Sequence, residues 1–496
     1  MTEEKKTHGG GKDFTTGSIP RNLLHIALPM LLGNLLQTMY MVVNRIWVGH
    51  FLGPDAMAAV TNSFPVFFIM MAIINGMTIA SSILVSQYYG AKQIKDLRRV
   101  VNTSWMIILG MSIVLTVLGT IFAHELLTLI HTPPEIMQQT EGFLKLLFLT
   151  MPVQFTMFLL VALLRGIGDT ISPLYFQSIF LVLTAILDPI LIFGMFGLPK
   201  CGINGTMYAT LITMSGGLIS LALFMRRKQS PVSPSWLKFC FDKPTAKMIF
   251  KIGLPSAFQQ ILVSAQFMMM TYMINQFGTN ASAAFGAGMT IDNIAFMPAM
   301  LMGMAISSVA GQNIGIEKFN RAGTAFYWGM IISGGITLII ALSAALFPHV
   351  LLMPFIKSDS QIVMNYAMDY LRVMAISYMI YSIMFSANGV MNGAGMTLIT
   401  TISTVVGLWV VRVPLAYYLS GLSTGNWWFS FLPHRNRDIH GIWIAMVAGV
   451  AVSAVLSLIF FYSGMWKKSL VKKEIPKINH ETSNCGCDII DNTACE

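Results

Sequence analysis

Twelve apolar runs divide the chain, and each is close to the roughly 20 residues that a helix needs to cross a bilayer. Inside hydrocarbon every backbone N–H and C=O group must be paired within the protein, so only helices and closed barrels can span it. Charged residues make up 10% of the sequence, against about 25% in soluble proteins. The pattern predicts an all-α polytopic membrane protein with twelve transmembrane helices. The runs lie near 22–49, 57–86, 100–123, 143–164, 172–196, 203–225, 249–276, 282–310, 323–348, 366–389, 396–420 and 441–464.

A basic hydrophilic stretch separates the first six runs from the last six. We interpret residues 226–248 as a cytoplasmic linker between two six-helix lobes, 22–225 and 249–464, with tails at 1–21 and 465–496. Most Lys and Arg residues fall in the linker, the tails and the loops of one side. The positive-inside bias then places both termini in the cytoplasm of a multi-pass protein of the cell (inner) membrane. The net charge of +10 reports this topology, and no nucleic-acid partner is expected.

Four short motifs of the first lobe recur in the second lobe in the same order. They begin at Ala27, Leu52, Gln87 and Gly166 and return at Gly253, Phe277, Gln312 and Gly393, between 225 and 227 residues later. The first pair places Pro29 opposite Pro255, and we expect Pro29 to be structural. Six helices, an even number, precede the repeat, so the halves are parallel and related by an axis along the membrane normal. Two pseudo-symmetric lobes of this kind enclose a cavity and allow alternating access by rocking.

Asp188 is a carboxylate inside the fifth apolar run, and Pro189 follows it directly. A charge at mid-bilayer costs at least ~3 kcal/mol on insertion scales, so such an acid is usually paired or functional. Pro189 removes a backbone donor, and we expect the helix to bend beside the carboxylate. A bent helix with a buried acid suits a proton or cation site that faces a cavity. The alternative is a structural acid bonded to a neighbouring hydroxyl group.

Other polar residues interrupt the spans at helical spacing. Gln37, Tyr40 and Asn44 in span 1 are separated by three and four residues, so they share one face of the helix. Gln259 and Gln266 in span 7 are seven residues apart and also face one way. We expect Gln37, Tyr40, Gln259 and Gln266 to line the substrate cavity.

Three residues of the second lobe complete the set of candidates. Asp292 in span 8 is either a second functional acid of the cavity or a partner for a basic group. Met289 represents a methionine-rich region of spans 7 and 8, whose flexible thioethers suit a pocket that repacks around varied ligands. Arg412 lies just before Pro414, in a helix whose carbonyls the proline leaves free, so we expect both residues to be structural.

The sequence lacks the motifs of several enzyme classes. It contains no Walker A lysine loop, no His-Glu-x-x-His motif, no metal-spaced set of Cys and His and no dinucleotide glycine fingerprint. These absences disfavour an ATP-driven pump and a zinc intramembrane protease. We expect no metal site, no catalytic residue and no cofactor other than a coupling ion.

The motifs taken together resemble those of the multidrug and toxic compound extrusion transporters, with most similarity to their prokaryotic damage-inducible-protein branch. The matching stretches are Leu28-Pro29 through Trp47-Val48-Gly49, Leu52-Gly53 with Ala56-Met-Ala-Ala59, Ser86-Gln87-Tyr-Tyr-Gly90-Ala91, Gly166-Ile-Gly168-Asp169-Thr170, Leu187-Asp188-Pro189, Gly311-Gln312-Asn313-Ile-Gly315 and Arg412-Val-Pro414-Leu-Ala-Tyr417. The likeness extends from about residue 18 to residue 465.

The resemblance implies a first-lobe cation site with Asp188 as the acid of span 5 and Thr210 as the threonine of span 6. The family pattern also has an acid in span 1 and an Asn four residues before the span-5 acid. Here Asn44 and Thr184 stand at those positions. Asn44, Thr184 and Thr210 can each offer a neutral oxygen, which together with a carboxylate suits Na⁺. The coupling ion is therefore either H⁺ or Na⁺.

The leading hypothesis is a secondary multidrug antiporter, a monomer that exports organic, mainly cationic, compounds in exchange for H⁺ or Na⁺ by alternating access. The alternative is a flippase for lipid-linked glycans from the same superfamily, which needs a strongly basic cavity for a pyrophosphate. Few Arg residues lie in or near the spans, which disfavours the flippase. A membrane-embedded enzyme is a third and weaker option. The expected partners are small organic molecules and the lipid bilayer.

Overall fold

The computed structural model describes residues 11–47, 52–129, 132–197, 199–236, 241–356, 360–422 and 437–471. Throughout this part of the chain the regular structure is helical and no strand is present. Twelve of the helical segments are long and apolar enough to cross a membrane. The predicted all-α fold with twelve transmembrane helices is confirmed.

The first half of the chain contributes six spans. They cover Ile19–Ile46 (α1), Pro54–Gly90 (α2), Ile94–Ile121 (α3), Pro134–Gly166 (α5), Ile171–Phe193 (α6) and Asn204–Arg227 (α7), with the short helix Ala123–Leu129 (α4) between the third and fourth spans. A 3₁₀ turn follows α6 at Met195–Gly197.

The six spans of the second half follow the same plan. They cover Lys243–Asn275 (α8), Thr279–Gly315 (α9), Phe319–Leu346 (α10), Gln361–Gly393 (α12), the composite span Thr397–Leu419 and His440–Tyr462 (α15), with the short helix Pro348–Leu352 (α11) after α10. The composite span consists of Thr397–Val405 (α13), a π-helix at Val406–Arg412 and Val413–Leu419 (α14).

The helices form two units that resemble the predicted lobes. Unit 1 spans Leu28–Leu254, with short terminal segments before Phe14 and after Lys468, and unit 2 consists of Phe14–Ala27 and Pro255–Lys468. Both divisions fall beside the repeat prolines, Pro29 in α1 and Pro255 in α8. Each unit has its own core of buried apolar side chains. Phe148, Phe155 and Tyr88 are among the largest in unit 1, and Tyr370, Tyr378 and Trp443 are among the largest in unit 2.

The helix lengths reproduce the sequence repeat. Helices of 37, 28 and 33 residues in unit 1, namely α2, α3 and α5, return as α9, α10 and α12 with 37, 28 and 33 residues. The turn geometry repeats as well: the equivalent residues Gly168 and Gly395 have φ angles of 84° and 79°. A left-handed backbone suits glycine, which lacks a Cβ atom. The same turn is therefore built at the same place in both halves.

The segments next to the first and last spans bind equivalent glutamines. In unit 2 the backbone N–H of Phe14 donates to Gln312 Oε1 at 2.9 Å, and Arg321 Nη2 donates to the Gly17 carbonyl at 2.6 Å. In unit 1 the backbone N–H of Leu470 donates to Gln87 Oε1 at 3.2 Å. Phe14 is fully buried. These contacts hold the chain just before α1 and just after α15 against the ends of α9 and α2.

The π-helix of unit 2 packs closely against α15. A Cβ atom added at Gly407 would lie 1.9 Å from Ser453 Oγ, and one added at Gly449 would lie 2.6 Å from the Cβ of Arg412. The two glycines therefore allow an approach that any larger residue would prevent. A π-helix is often found at functional positions of otherwise regular helices. Here it carries Arg412 at its last position.

We expect Gly449→Ala to destabilise unit 2, because the new methyl group would overlap the Arg412 side chain and the Gly407 carbonyl oxygen, 2.8 Å away. Overpacking of this kind costs about 1–3 kcal/mol. The measurement is the apparent melting temperature of the purified protein in detergent. Gly335→Ala in α10 is the matched control, since its added Cβ would meet nothing within 4 Å. Equal melting of the two variants would contradict the close packing described here.

Candidate functional site

Asp188 is buried in the last turns of α6 and binds two side chains of α1. Its Oδ2 atom accepts a hydrogen bond from Asn44 Nδ2 at 3.1 Å and a longer one from the Tyr40 hydroxyl at 3.4 Å. The side chain is 0% exposed. Tyr40 and Asn44 reach the same carboxylate because they are four residues apart on one helix face. The structure thus brings together the acid of the fifth span and two of the polar residues predicted in the first.

The second oxygen of Asp188 is the most unusual feature of the site. Its Oδ1 atom is buried and accepts no hydrogen bond from any described residue. A buried carboxylate oxygen without a donor is costly, because the desolvation of its charge is not offset. A proton on this oxygen lowers that cost by neutralising the charge, and a cation beside the oxygen lowers it by compensating the charge. The geometry therefore leaves one oxygen of Asp188 without a partner among the described residues.

Thr210 and Thr184 approach the site in different ways. Thr210 in α7 lies near the Tyr40 hydroxyl, and its own hydroxyl donates to the Thr206 carbonyl at 2.8 Å. Thr184 lies one turn before Asp188 in α6, and its hydroxyl is bonded to the Phe180 carbonyl at 2.7 Å and to Thr213 Oγ1 at 2.7 Å. The hydroxyl of Thr184 thus joins α6 to α7 in this conformation. Its role as a cation ligand stays a prediction.

The predicted glutamines of span 7 both bind the composite span of unit 2. Gln259 Nε2 donates to Thr404 Oγ1 at 2.7 Å, and Gln266 Oε1 accepts from Arg412 Nη1 at 3.2 Å. They share one face of α8, as their spacing predicts, and that face contacts a helix. Gln37 in α1 is exposed within unit 1. The assignment of these three residues to a substrate cavity stays a prediction.

Asp292 binds two tyrosines of α12. Its Oδ1 atom accepts from the Tyr378 hydroxyl at 2.6 Å, and its Oδ2 atom accepts from the Tyr370 hydroxyl. Asp292 is 3% exposed. Met289, one turn earlier in α9, is half-buried against the core of unit 2. Neither tyrosine was identified from the sequence, although their spacing of eight residues places both polar tips on one face of an apolar helix.

Arg412 is buried and makes its contacts within unit 2. Besides Gln266, its Nη2 atom donates to the Met446 carbonyl of α15 at 3.0 Å. The sequence predicts that Arg412 satisfies carbonyls freed by Pro414 or pairs with an acid. The carbonyl that it binds belongs to a neighbouring helix, and no carboxylate of the described residues lies within ion-pair distance of it.

A model of the MatE family matches residues 29–190 and 255–418, which cover most of both halves. The chain belongs to the MATE family. It is 31% identical over 466 residues to "Probable multidrug resistance protein YoeA" of Bacillus subtilis (strain 168), with 92% of this chain and 96% of that protein covered. It is 25% identical over 459 residues to "Probable multidrug resistance protein NorM" of Thermotoga maritima, with coverage of 91% and 94%. The protein is thus a multi-pass membrane transporter of the multidrug efflux class and not an enzyme.

Solved MATE structures share the fold. A structure described as the outward-facing conformation of a multidrug resistance MATE transporter has a TM-score of 0.80 at 24% identity, covering 93% of this chain and 98% of that one. A structure described as a MOP superfamily transporter from Pyrococcus furiosus with reverse polarity of its binding pocket has a TM-score of 0.81 at 23% identity, with coverage of 94% and 100%. MATE transporters need no cofactor. Across the part of this chain that the structure describes, no three His, Cys, Asp or Glu side chains are grouped so as to hold a metal ion.

We expect Thr184→Val to lower stability by about 1 kcal/mol, because the isosteric valine leaves the buried hydroxyl of Thr213 without its side-chain partner. Thr184→Ser keeps the hydroxyl and is the matched control. The measurement is again the apparent melting temperature in detergent. If the valine and serine variants have the same melting temperature, the Thr184–Thr213 hydrogen bond contributes little to stability.

Proposed function

We propose that this MATE protein exports organic, mainly cationic, compounds in exchange for a proton or a sodium ion that binds at Asp188. The observation that carries the proposal is the buried Oδ1 atom of Asp188, which has no hydrogen-bond donor. Protonation or a bound cation satisfies this oxygen, and its departure leaves the oxygen unsatisfied again. A site with two such states can drive alternating access, because each state favours a different packing around it.

The neighbours of Asp188 support a site for a small hard cation as well as a proton. The side-chain oxygen of Asn44 and the hydroxyl groups of Tyr40 and Thr210 are neutral oxygens on helices that meet at the carboxylate. Na⁺ prefers oxygen ligands, as the alkaline-earth ions do. One carboxylate can hold a proton or a cation but not both together. An experiment has to decide between H⁺ and Na⁺.

Multidrug export is favoured over lipid-linked glycan flipping. The relatives YoeA and NorM are named as multidrug resistance proteins. A flippase for a pyrophosphate-linked glycan needs several free Arg or Lys side chains in its cavity. Arg412, which is buried, already donates to Gln266 and to the Met446 carbonyl. The assignment of the protein to the prokaryotic damage-inducible-protein branch is part of this proposal, as is a monomeric state.

We expect Asp188→Asn to abolish energised efflux, because the amide cannot exchange a proton or hold a cation by charge. The measurement is ethidium efflux from energised vesicles, with either a pH gradient or a Na⁺ gradient imposed. The gradient that drives efflux by the unaltered protein identifies the coupling ion. The variant should still reach the membrane in normal amount, since asparagine is close to aspartate in size and shape.

Asp369→Asn in α12 is the matched control for the Asp188 experiment. Its carboxylate is 39% exposed and pairs with Arg372 at 3.9 Å and with His440 at 3.3 Å, far from Asp188 in sequence and in the other unit. We expect that variant to transport normally. Undiminished efflux by Asp188→Asn under both gradients would remove Asp188 from the mechanism and direct attention to Asp292.

We propose further that the protein lies in the cell membrane with both termini in the cytoplasm, from the distribution of Lys and Arg. The test uses single cysteines in a variant whose five native cysteines are replaced by serine. A cysteine at Lys95, which is exposed before α3 continues into the membrane, should be shielded from an impermeant external thiol reagent. A cysteine at Thr128, exposed in α4, should react. The reverse pattern in intact cells would overturn the orientation.

A further inference from the structure

Each of the two equivalent helix pairs contains a described buried charged residue, and these two residues have opposite signs. In unit 1 the pair consists of α1 and α6, and its buried charge is Asp188. In unit 2 the pair consists of α8 and the composite span, and its buried charge is Arg412, which is 4% exposed. Both α6 and the composite span have 23 residues. Asp188 is residue 18 when counted from Ile171, and Arg412 is residue 16 when counted from Thr397. The two charges therefore lie near the same end of equivalent spans, two residues apart in the repeat.

The partners of the two charges are equivalent as well. Tyr40 follows the repeat proline Pro29 by 11 residues, and Gln266 follows the repeat proline Pro255 by 11 residues. Tyr40 donates to Asp188, whereas Gln266 accepts from Arg412. The direction of the hydrogen bond is reversed together with the sign of the charge. The helix pair of unit 1 thus surrounds a carboxylate that can bind a positive species. The helix pair of unit 2 surrounds a side chain that is itself positive.

Unit 2 also closes its helix pair by a row of hydrogen bonds. The Thr401 hydroxyl donates to the Pro255 carbonyl at 3.0 Å, Gln259 Nε2 donates to Thr404 Oγ1 at 2.7 Å, Trp409 Nε1 donates to the Leu262 carbonyl at 3.0 Å, and Arg412 Nη1 donates to Gln266 at 3.2 Å. The four bonds follow the two helices from α13 to the end of the π-helix. These bonds hold the pair in unit 2 together, while Arg412 Nε and Gln266 Nε2 have no hydrogen-bond partner among the described residues.

The buried acid of unit 2, Asp292, accepts hydrogen bonds at both carboxylate oxygens, whereas the buried acid of unit 1, Asp188, accepts them at only one. Both oxygens of Asp292 accept hydroxyl groups, from Tyr370 and Tyr378. The charge of Arg412 acts on Asp292 through space. A buried positive group is costly unless a negative group compensates it. Asp292 is beyond ion-pair distance of Arg412, so it can compensate the charge of Arg412 only at longer range.

We propose that Arg412 is a built-in cation of unit 2, in the helix pair that corresponds to the pair around the exchangeable coupling cation of unit 1. The guanidinium stays bound throughout the transport cycle, with Asp292 as its counter-charge. Each cycle then exchanges one coupling cation, at Asp188. The stoichiometry rests on the proposed function of Asp188, whereas the role of Arg412 as a fixed cation can be tested without transport.

The decisive experiment removes the side-chain cation and returns it from solution. Arg412→Ala should melt at a lower temperature than the unaltered protein, and guanidinium ion at millimolar concentration should raise its melting temperature again. Urea, which has a similar planar shape but no charge, should leave the melting temperature of the variant unchanged. The same guanidinium concentration should leave Arg372→Ala unchanged, because Arg372 is exposed and its side chain is 56% accessible. Rescue by urea as well as guanidinium, or by neither, would overturn the proposal.

A second set of variants keeps the proposal falsifiable if Arg412→Ala does not fold. Arg412→Lys retains a charge and should fold, whereas Arg412→Met leaves Asp292 uncompensated and should fold poorly. The double variant Arg412→Met with Asp292→Asn removes both charges, so it should recover much of the folded protein that Arg412→Met loses. A double variant as poorly folded as Arg412→Met would show that Asp292 is not the counter-charge, and the proposal would fall.

The coupling ratio separates this proposal from the proposed function. In proteoliposomes, the ethidium gradient that balances a known gradient of the coupling ion gives the number of ions exchanged per substrate. We expect one ion for the unaltered protein and the same value for Arg412→Lys. Suppose that two ions are exchanged per ethidium and that Asp188→Asn still abolishes efflux. This result would contradict the built-in cation but not the proposed function of Asp188. Loss of any Asp188 dependence would contradict the proposed function, while the melting experiments would still report on Arg412.

Discussion

A charge buried in a membrane-spanning helix has to find its partners inside the protein, because hydrocarbon offers none. The arrangement of helices in each unit reflects this constraint. Asp188 draws Tyr40 and Asn44 of α1 to one of its oxygens and leaves the other open. Arg412 is enclosed by Gln266 of α8 and the backbone of α15. The buried acid of unit 1 thus keeps one oxygen without a partner, whereas the buried cation of unit 2 is bonded to two neighbouring helices.

Much of the fold follows from the sequence, because a chain that crosses a bilayer can do so only as helices or as a closed barrel. Each apolar run had to be a helix, and the repeat had to give two similar units, as the recurring lengths of 37, 28 and 33 residues show. Helix ends were less accessible to prediction. The first run begins near residue 22, whereas α1 begins at Ile19, because the bonds of Phe14 and Gly17 in unit 2 hold the chain at that point.

The candidate site was predictable only in part. An acid in an apolar run is visible at once, and spacing by four residues placed Tyr40 and Asn44 on one face of α1. Spacing does not tell which neighbour a face meets, since that depends on how each helix is rotated about its own axis. The pairing of Thr184 with Thr213 and of Asp292 with Tyr378 therefore came only from the structure. Both pairs join neighbouring helices through polar side chains.

The two units differ mainly in one span, the composite span of unit 2 and its counterpart α6 in unit 1. A change confined to one span can alter the buried charge while the rest of the repeat is kept. The helices of the scaffold keep their lengths, while the composite span of unit 2 contains a π-helix that its counterpart α6 lacks. A π-helix widens one stretch of a helix and changes the direction of the side chains that follow it. Gly407 and Gly449 then let the widened segment lie against α15 with Arg412 between them. Because the change stays within one span, Arg412 is accommodated while α9, α10 and α12 keep the lengths of α2, α3 and α5.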